Sequence, residues 1–147
     1  MKNTIKVFVL VALTLAAMSV SAQVKLGHIE TQKLIQAMPE WTAAQKTFEE
    51  EQKKVNTELN GLREQFQTKL AEYSEKMKTY SEAMRATTEE ELQGLQQRIQ
   101  RFQETAMAQL EKTQNDLMQP VMEKALNAIK EVGKENGFTY IFDMNAG

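Results

Sequence analysis

The architecture of this chain can be read from Thr88–Leu117, "TEEELQGLQQRIQRFQETAMAQLEKTQNDL", where apolar residues return at every third or fourth position. That spacing places them on one face of an α-helix and leaves Gln, Glu, Lys and Arg on the remaining faces. A narrow apolar stripe of this kind has to pack against a partner helix. The stripe consists of Leu92, Leu95, Ile99, Phe102, Ala106, Leu110, Thr113 and Leu117.

A second stripe precedes the first and has a similar length. It begins after Pro39, recurs at intervals of about 3.6 residues, and is interrupted only by Gln52. Because a strict heptad pattern repeats at shorter intervals, this spacing predicts a nearly straight helix with little supercoiling. Its members are Trp41, Ala44, Phe48, Val55, Leu59, Leu62, Phe66, Leu70, Tyr73, Met77, Tyr80 and Met84.

The junction between the stripes carries a helix-start signal. The letters "TEEE" have the form of a capping box, in which Thr88 caps a new helix and Glu91 reaches back to it. We therefore expect helices over about 40–87 and 88–136, joined by a tip near 85–88 and packed as an antiparallel hairpin. In such a hairpin two residues that face each other have residue numbers with a constant sum, which is about 175 for this tip, and that register brings the two stripes together. One continuous helix in a parallel coiled coil is the alternative, which the capping box disfavours.

The residues before the first long helix predict a strand and a short helix. The run Val24–Ile29, "VKLGHI", has the composition of a short strand. Thr31 can cap a short helix that ends at about Met38. Pro39 then suits the first position of the next helix, where its missing N–H costs nothing.

A second strand signal follows the long helices. Asn136–Gly137 is typical of a helix stop, and the apolar alternation of Phe138–Asp143 predicts a strand that can pair with Val24–Ile29. A turn at Asn145–Gly147 has the form of the first half of a β-hairpin. Its partner strand is missing from the sequence, so we expect an unpaired edge and an oligomer less stable than that of an extended chain.

The first 22 residues have the pattern of a secretory signal peptide. Lys2 and Lys6 make a positive start, Val7–Ala17 is an apolar run, and Val20–Ala22 is a small-residue cleavage site. We expect cleavage between Ala22 and Gln23 and export to the periplasm. A membrane anchor is the alternative, but the run is shorter than the roughly 20 residues that a spanning helix needs.

Composition argues against catalysis. The chain has no cysteine and a single histidine, His28, in a predicted strand. Its carboxylates are spread along helix faces, and no phosphate loop, nucleophile motif or metal-ligand spacing is present. We therefore expect no enzyme, no catalytic residue, no cofactor and no metal. The formal net charge of -2 also differs from the basic footprint of a nucleic-acid-binding protein.

The apolar residues at the two ends of the chain exceed what two short strands and a hairpin can enclose. Such a surface is best buried by association with other copies. The candidate residues of this oligomerisation body are Val24, Leu26, Ile29, Leu126, Ile129, Phe138, Tyr140 and Phe142.

Taken together, the segments resemble the Skp/OmpH family of periplasmic chaperones. The resemblance rests on the signal peptide, "KLGHIETQKLIQAMPEW", the charged helical pair, "QPVMEKALNAIKEVGKENGF" and the final "YIFDMNAG". It implies a mainly α fold with a small β part, in which a long helical hairpin, or tentacle, projects from a small β-barrel body. Residues 23–38 and 120–147 would form the body of a homotrimer, and residues 39–119 would form the arm.

The resemblance also implies a function. Arms of this kind surround a cavity in which unfolded outer-membrane proteins are held without ATP. Flexible, polarizable Met side chains suit such non-directional contacts, and the candidate client-contact residues are Tyr80, Met84, Leu92 and Met107. The best-known family members are strongly basic, whereas residues 40–119 here carry 11 Lys+Arg against 15 Asp+Glu, which places electrostatic capture of acidic clients in doubt.

Two other functions remain open from the sequence. A structural coiled-coil adaptor of the cell envelope would bind one folded partner and ignore unfolded chains. An amphipathic membrane-surface helix is disfavoured because the polar faces mix Glu with Lys, so we expect at most peripheral membrane association.

Overall fold

A computed structural model of the chain describes residues 24–144. Strand β1 covers Leu26–Ile29, helix α1 Thr31–Ala37, helix α2 Pro39–Lys76, helix α3 Glu82–Glu135, and strand β2 Tyr140–Asp143. The protein is therefore mostly helical with two short strands. The predicted signal peptide and the turn predicted at Asn145–Gly147 lie outside the described residues.

Helices α2 and α3 form the expected antiparallel hairpin. The 38 residues of α2 and the 54 residues of α3 correspond to lengths of about 57 and 81 Å. Pro39 starts α2, as predicted, because its fixed φ suits a first helical position. Helix α3 continues through Pro120 without a break in its assignment and reaches the strands at its far end.

The tip of the hairpin differs from the sequence prediction. The chain turns at 77–81, not near 85–88, and Ser81 is the N-cap of α3, accepting a hydrogen bond from the Met84 N–H at 3.3 Å. Thr88 lies inside the helix, where its hydroxyl donates to the Met84 carbonyl at 2.8 Å. A capping box competes with helix continuation only where the chain enters a helix. Here Ser81 already caps the helix seven residues earlier, so Thr88 lies in its interior and the helix continues past it.

The earlier turn shifts the register of the whole hairpin. Polar side-chain contacts between the helices join Lys69 to Glu91, Tyr73 to Glu89, and Glu40 to Lys124. The numbers of these pairs sum to 160, 162 and 164, so the predicted sum of about 175 was wrong.

A narrow apolar seam joins the two helices. Small residues are buried on both sides, such as Ala44 on α2 and Ala106 on α3, and they allow a close approach of the helix backbones. Leu62 and Leu92 supply larger buried side chains. Among the described residues no large side chain is completely enclosed, as expected for a layer only two helices thick.

The strands form a two-stranded parallel sheet at the base of the hairpin. Leu26 pairs with Tyr140 and Ile29 with Asp143, which confirms the predicted pairing of the two end segments. The two strands can pair because the antiparallel helices α2 and α3 bring both ends of the chain to the base of the hairpin. A β-barrel made of several such sheets remains a prediction.

A glycine stop turns the chain from α3 into β2. Gly137 has φ +66, the left-handed conformation that glycine adopts without strain. The Phe138 N–H donates to the Gly133 carbonyl at 2.9 Å and the Gly137 N–H to the Lys134 carbonyl at 3.2 Å, the pattern of a Schellman motif. The predicted stop at Asn136–Gly137 is confirmed.

The start of α1 is capped from the other end of the chain. Thr31 is the first helical residue, and Glu30 at the N-cap position makes no side-chain cap. Instead the Thr31 N–H donates to the Asp143 carboxylate at 3.4 Å. The prediction that Thr31 itself is the cap was wrong, because a carboxylate brought in by β2 satisfies the helix start.

Candidate functional site

Two polar contacts hold the helices together near the tip. The Tyr73 hydroxyl donates to the Glu89 carboxylate, and the Lys69 ammonium pairs with Glu91. The hydrogen bond to Glu89 raises the pKa of the Tyr73 phenol above its ordinary value. The Tyr73 ring also lies 6.3 Å from the Tyr80 ring, so the turn packs on the last part of the seam.

A third contact between the helices lies near the base. The Lys124 ammonium donates to the Glu40 carboxylate, and this hydrogen bond lowers the pKa of Glu40. The pair is exposed to solvent, so its contribution to stability is small. It nevertheless marks the register of the hairpin at the end opposite to Tyr73.

The four candidate client-contact residues have different environments. Met84 is 53% exposed and Met107 is 74% exposed, so both present thioethers to solvent. Tyr80 is half-buried within the turn. Leu92 is only 8% exposed because it lies in the seam, so within a single hairpin it offers little surface to a client.

The outer face of the sheet is apolar and uncovered. Leu26, Tyr140 and Phe142 lie there and are all more than half exposed, together with Val24 just before β1. His28 also belongs to this face, paired in register with Phe142. Within one chain nothing described covers these side chains.

The remaining body candidates divide between two environments. Ile29, Ile129 and Phe138 are half-buried beneath the sheet, whereas Leu126 on α3 is exposed. Phe138 precedes β2 and does not share the outer face with Tyr140, contrary to the predicted alternation from Phe138 onward.

Two glycines that were not among the candidate body residues allow close packing at the base of the hairpin. A Cβ on Gly133 would lie 2.8 Å from Ile141 Cδ1, and a Cβ on Gly27 would lie 3.0 Å from the Phe138 ring. The alternation of β2 could have indicated Ile141 as an inward residue, but no local signal indicates the contact between Gly27 and Phe138, which lie at opposite ends of the chain.

The family comparison agrees with this geometry of a helical hairpin on a small parallel sheet. The family model described as outer membrane protein (OmpH-like) matches residues 25–147. The chain belongs to the OmpH-like family. The comparison with curated proteins found no match.

Membership in the OmpH-like family implies a chaperone-type function directed at outer-membrane proteins. Proteins of this family are periplasmic and generally non-enzymatic. Between residues 24 and 144, no helix combines the length and apolar character required to cross a membrane. Over the same residues there is no group of three or more His, Cys, Asp or Glu side chains arranged to hold a metal ion.

Open grooves lie on the surface that residues 24–144 of this OmpH-like chain form. One, about 850 Å³, lies between the helices where Gly61 and Gly94 leave the surface without side chains. Its lining mixes the Lys69–Glu91 pair with Arg98 and Leu95. A smaller apolar cleft of about 200 Å³ lies between the sheet and the end of α3.

Proposed function

We propose that this OmpH-like chain is an ATP-independent periplasmic holdase that binds unfolded outer-membrane proteins between the helical arms of a homotrimer. The observation that carries the proposal is the distribution of exposed apolar groups. The arm keeps its own seam closed and still presents Met84 and Met107 to solvent. Such contacts suit a client without a fixed shape, because thioether side chains adapt to many surfaces.

Many weak contacts are the physical basis of holding. Burial of apolar surface contributes roughly 25 cal/mol per Å², whatever the identity of the partner. A client that moves along several arms keeps a favourable total free energy of binding, although no single site binds it strongly. It can leave when its own folding buries the same apolar surface, so the cycle requires no nucleotide.

The outer face of the sheet supports assembly into an oligomer. Leu26, Tyr140 and Phe142 each have more than half of their surface left to bury, which corresponds to about 1–2 kcal/mol per side chain. Association of two proteins costs roughly 4–15 kcal/mol in lost freedom. Several copies of this face must therefore contribute, as they do in a closed ring. The trimer number follows the family resemblance.

In this arrangement residues 23–38 and 120–147 form the body, and residues 39–119 form the arm. The arm is mildly acidic, with four more acidic than basic residues over 40–119. Clients are therefore held by apolar contact, and we expect holding to weaken little when salt screens surface charges.

Photo-crosslinking in cells tests the proposed contacts. A photoreactive amino acid at position 107 or 84 should crosslink to a range of outer-membrane precursors. The same group at position 130, where Lys130 is exposed on the part of α3 that belongs to the body, is the matched control and should crosslink to few. Equal yields from 107 and 130 would contradict the assignment, and a single folded partner at every position would favour an envelope adaptor.

Light scattering coupled to size exclusion tests the proposed body. Phe142→Asp places a charge on the outer face of the sheet, where burial of an unpaired carboxylate is costly. We expect the variant to dissociate at concentrations where the wild type is trimeric. Gln97→Asp adds the same charge on the exposed arm and should leave the mass unchanged. A trimeric Phe142→Asp variant would show that this face is not the interface.

A further inference from the structure

The arm exposes oxidisable sulfur and has no thiol to protect it. The sequence contains nine methionines and no cysteine. On the arm, Met107 is 74% exposed and Met84 is 53% exposed. Met107 follows the buried Ala106 by one position, which turns its side chain about 100° away from the seam. Packing within the hairpin therefore does not shield it.

We propose that Met107 and Met84 are sites of reversible methionine oxidation, and that the oxidised arm loses its hold on unfolded clients. The modifying agent is a two-electron oxidant of the hypochlorous acid class. This inference rests on the proposed holding function, because it concerns the side chains assigned there to client contact.

The oxidation step balances for a thioether and hypochlorous acid. The sulfur gives a lone pair to chlorine, and hypochlorous acid releases hydroxide. Water then displaces chloride from sulfur and loses two protons, one of which neutralises the hydroxide. The net products are a sulfoxide, chloride and a proton. Sulfur loses two electrons and chlorine gains them. Methionine sulfoxide is reduced enzymatically, so the change can be reversed.

The position of the two methionines determines what oxidation changes. A sulfoxide replaces an adaptable apolar surface with a polar one, which removes the basis of non-directional contact. Because Met84 and Met107 are outside the seam, the hairpin itself stays folded. Met118 is half-buried beside Trp41 and Leu117, so it should react more slowly.

Reversal has to come from outside the chain. A methionine sulfoxide reductase supplied with a dithiol converts the sulfoxide to the thioether, with a disulfide and water as the other products. The chain cannot supply these electrons itself, since it contains no cysteine.

The experiment oxidises the protein purified from the periplasm with increasing amounts of hypochlorous acid. Peptide mass spectrometry reports the extent of oxidation at each methionine, and light scattering reports suppression of aggregation of a urea-denatured outer-membrane β-barrel. We expect Met107 and Met84 to be oxidised before Met118, with a several-fold loss of suppression and unchanged helical circular dichroism. Treatment with both stereospecific reductases and dithiothreitol should restore suppression.

Two double variants assign the effect, each compared with its own untreated sample. In Met84→Leu with Met107→Leu, oxidation should have a much smaller effect, because the arm thioethers that remain are Met77, which is 41% exposed, and the half-buried Met118. In Met122→Leu with Met144→Leu, which removes two exposed methionines outside the arm, oxidation should reduce suppression as in the wild type. Equal losses in both double variants, or no loss in the oxidised wild type, would overturn the inference. If the untreated protein does not suppress aggregation, the proposed function fails first.

Discussion

Replacing one leucine in the seam and one beside it tests the register of the hairpin. Both Leu62 and Leu70 belong to the apolar stripe of α2 in the sequence, but Leu62 is 4% exposed and Leu70 is 42% exposed. Leu→Ala removes three carbon groups, each worth about 0.8 kcal/mol when buried. The free energy of unfolding should therefore fall by about 2–3 kcal/mol in Leu62→Ala, including a small cost for the cavity left behind. In Leu70→Ala the free energy of unfolding should fall by about 1 kcal/mol, because much of that side chain is already in water.

The assay is urea unfolding followed by far-UV circular dichroism, with wild type and both variants at one protomer concentration because an oligomer's stability depends on it. Leu62→Ala should have the lower midpoint by a clear margin. Helix propensity favours alanine slightly and equally at both positions, so it cancels from the comparison. Equal midpoints, or a larger effect at Leu70, would refute the seam and the register derived from it.

Other predictions concern single positions. Gly94→Ala should raise the free energy of unfolding by about 1 kcal/mol, because this glycine is inside α3 with open space around it. Gly137→Ala should lower it by roughly 1–2 kcal/mol, since φ is +66 there; thermal denaturation of the two variants checks the opposite signs. For Glu40, NMR titration should give a pKa below the ordinary value, and Lys124→Met should raise it back, because the lowering comes mainly from the Lys124 hydrogen bond. Because the pKa of Glu40 is lower in the folded state than in the unfolded state, the pair stabilises the fold fully at pH values above the unfolded pKa. This stabilisation is lost as the pH falls through the folded pKa. An unchanged Glu40 pKa in Lys124→Met would contradict the contact.

The seam of α3 could be predicted from the sequence because its apolar period is interrupted only at Thr113. Every position of the stripe from Leu92 to Leu117 is buried or half-buried in the structure. The stripe of α2 was less reliable. At two points the half-buried residues are Glu51 and Lys69, while Gln52 and Leu70 are exposed. Long charged side chains can cover a seam with their aliphatic stems, which a hydrophobic pattern does not register.

The tip and the caps could not be predicted because tertiary contacts decide them. Ser81 caps α3 without the acidic partner of a capping box, whereas Thr88 has that partner and lies inside the helix. Asp143 caps α1 across most of the chain length. Exposure of the candidate contact residues was equally hard to predict from the sequence. Met107 and Leu92 are both apolar residues of α3, but Met107 is exposed and Leu92 is buried in the seam.

The holding activity itself is tested by dilution of a urea-denatured outer-membrane β-barrel into buffer without nucleotide, with and without the protein purified from the periplasm. Light scattering at 90° follows aggregation of the client. The proposed function predicts that scattering is suppressed once one trimer is present per client, and that added ATP changes nothing. Scattering that rises as fast with the protein as without it would contradict the holdase assignment.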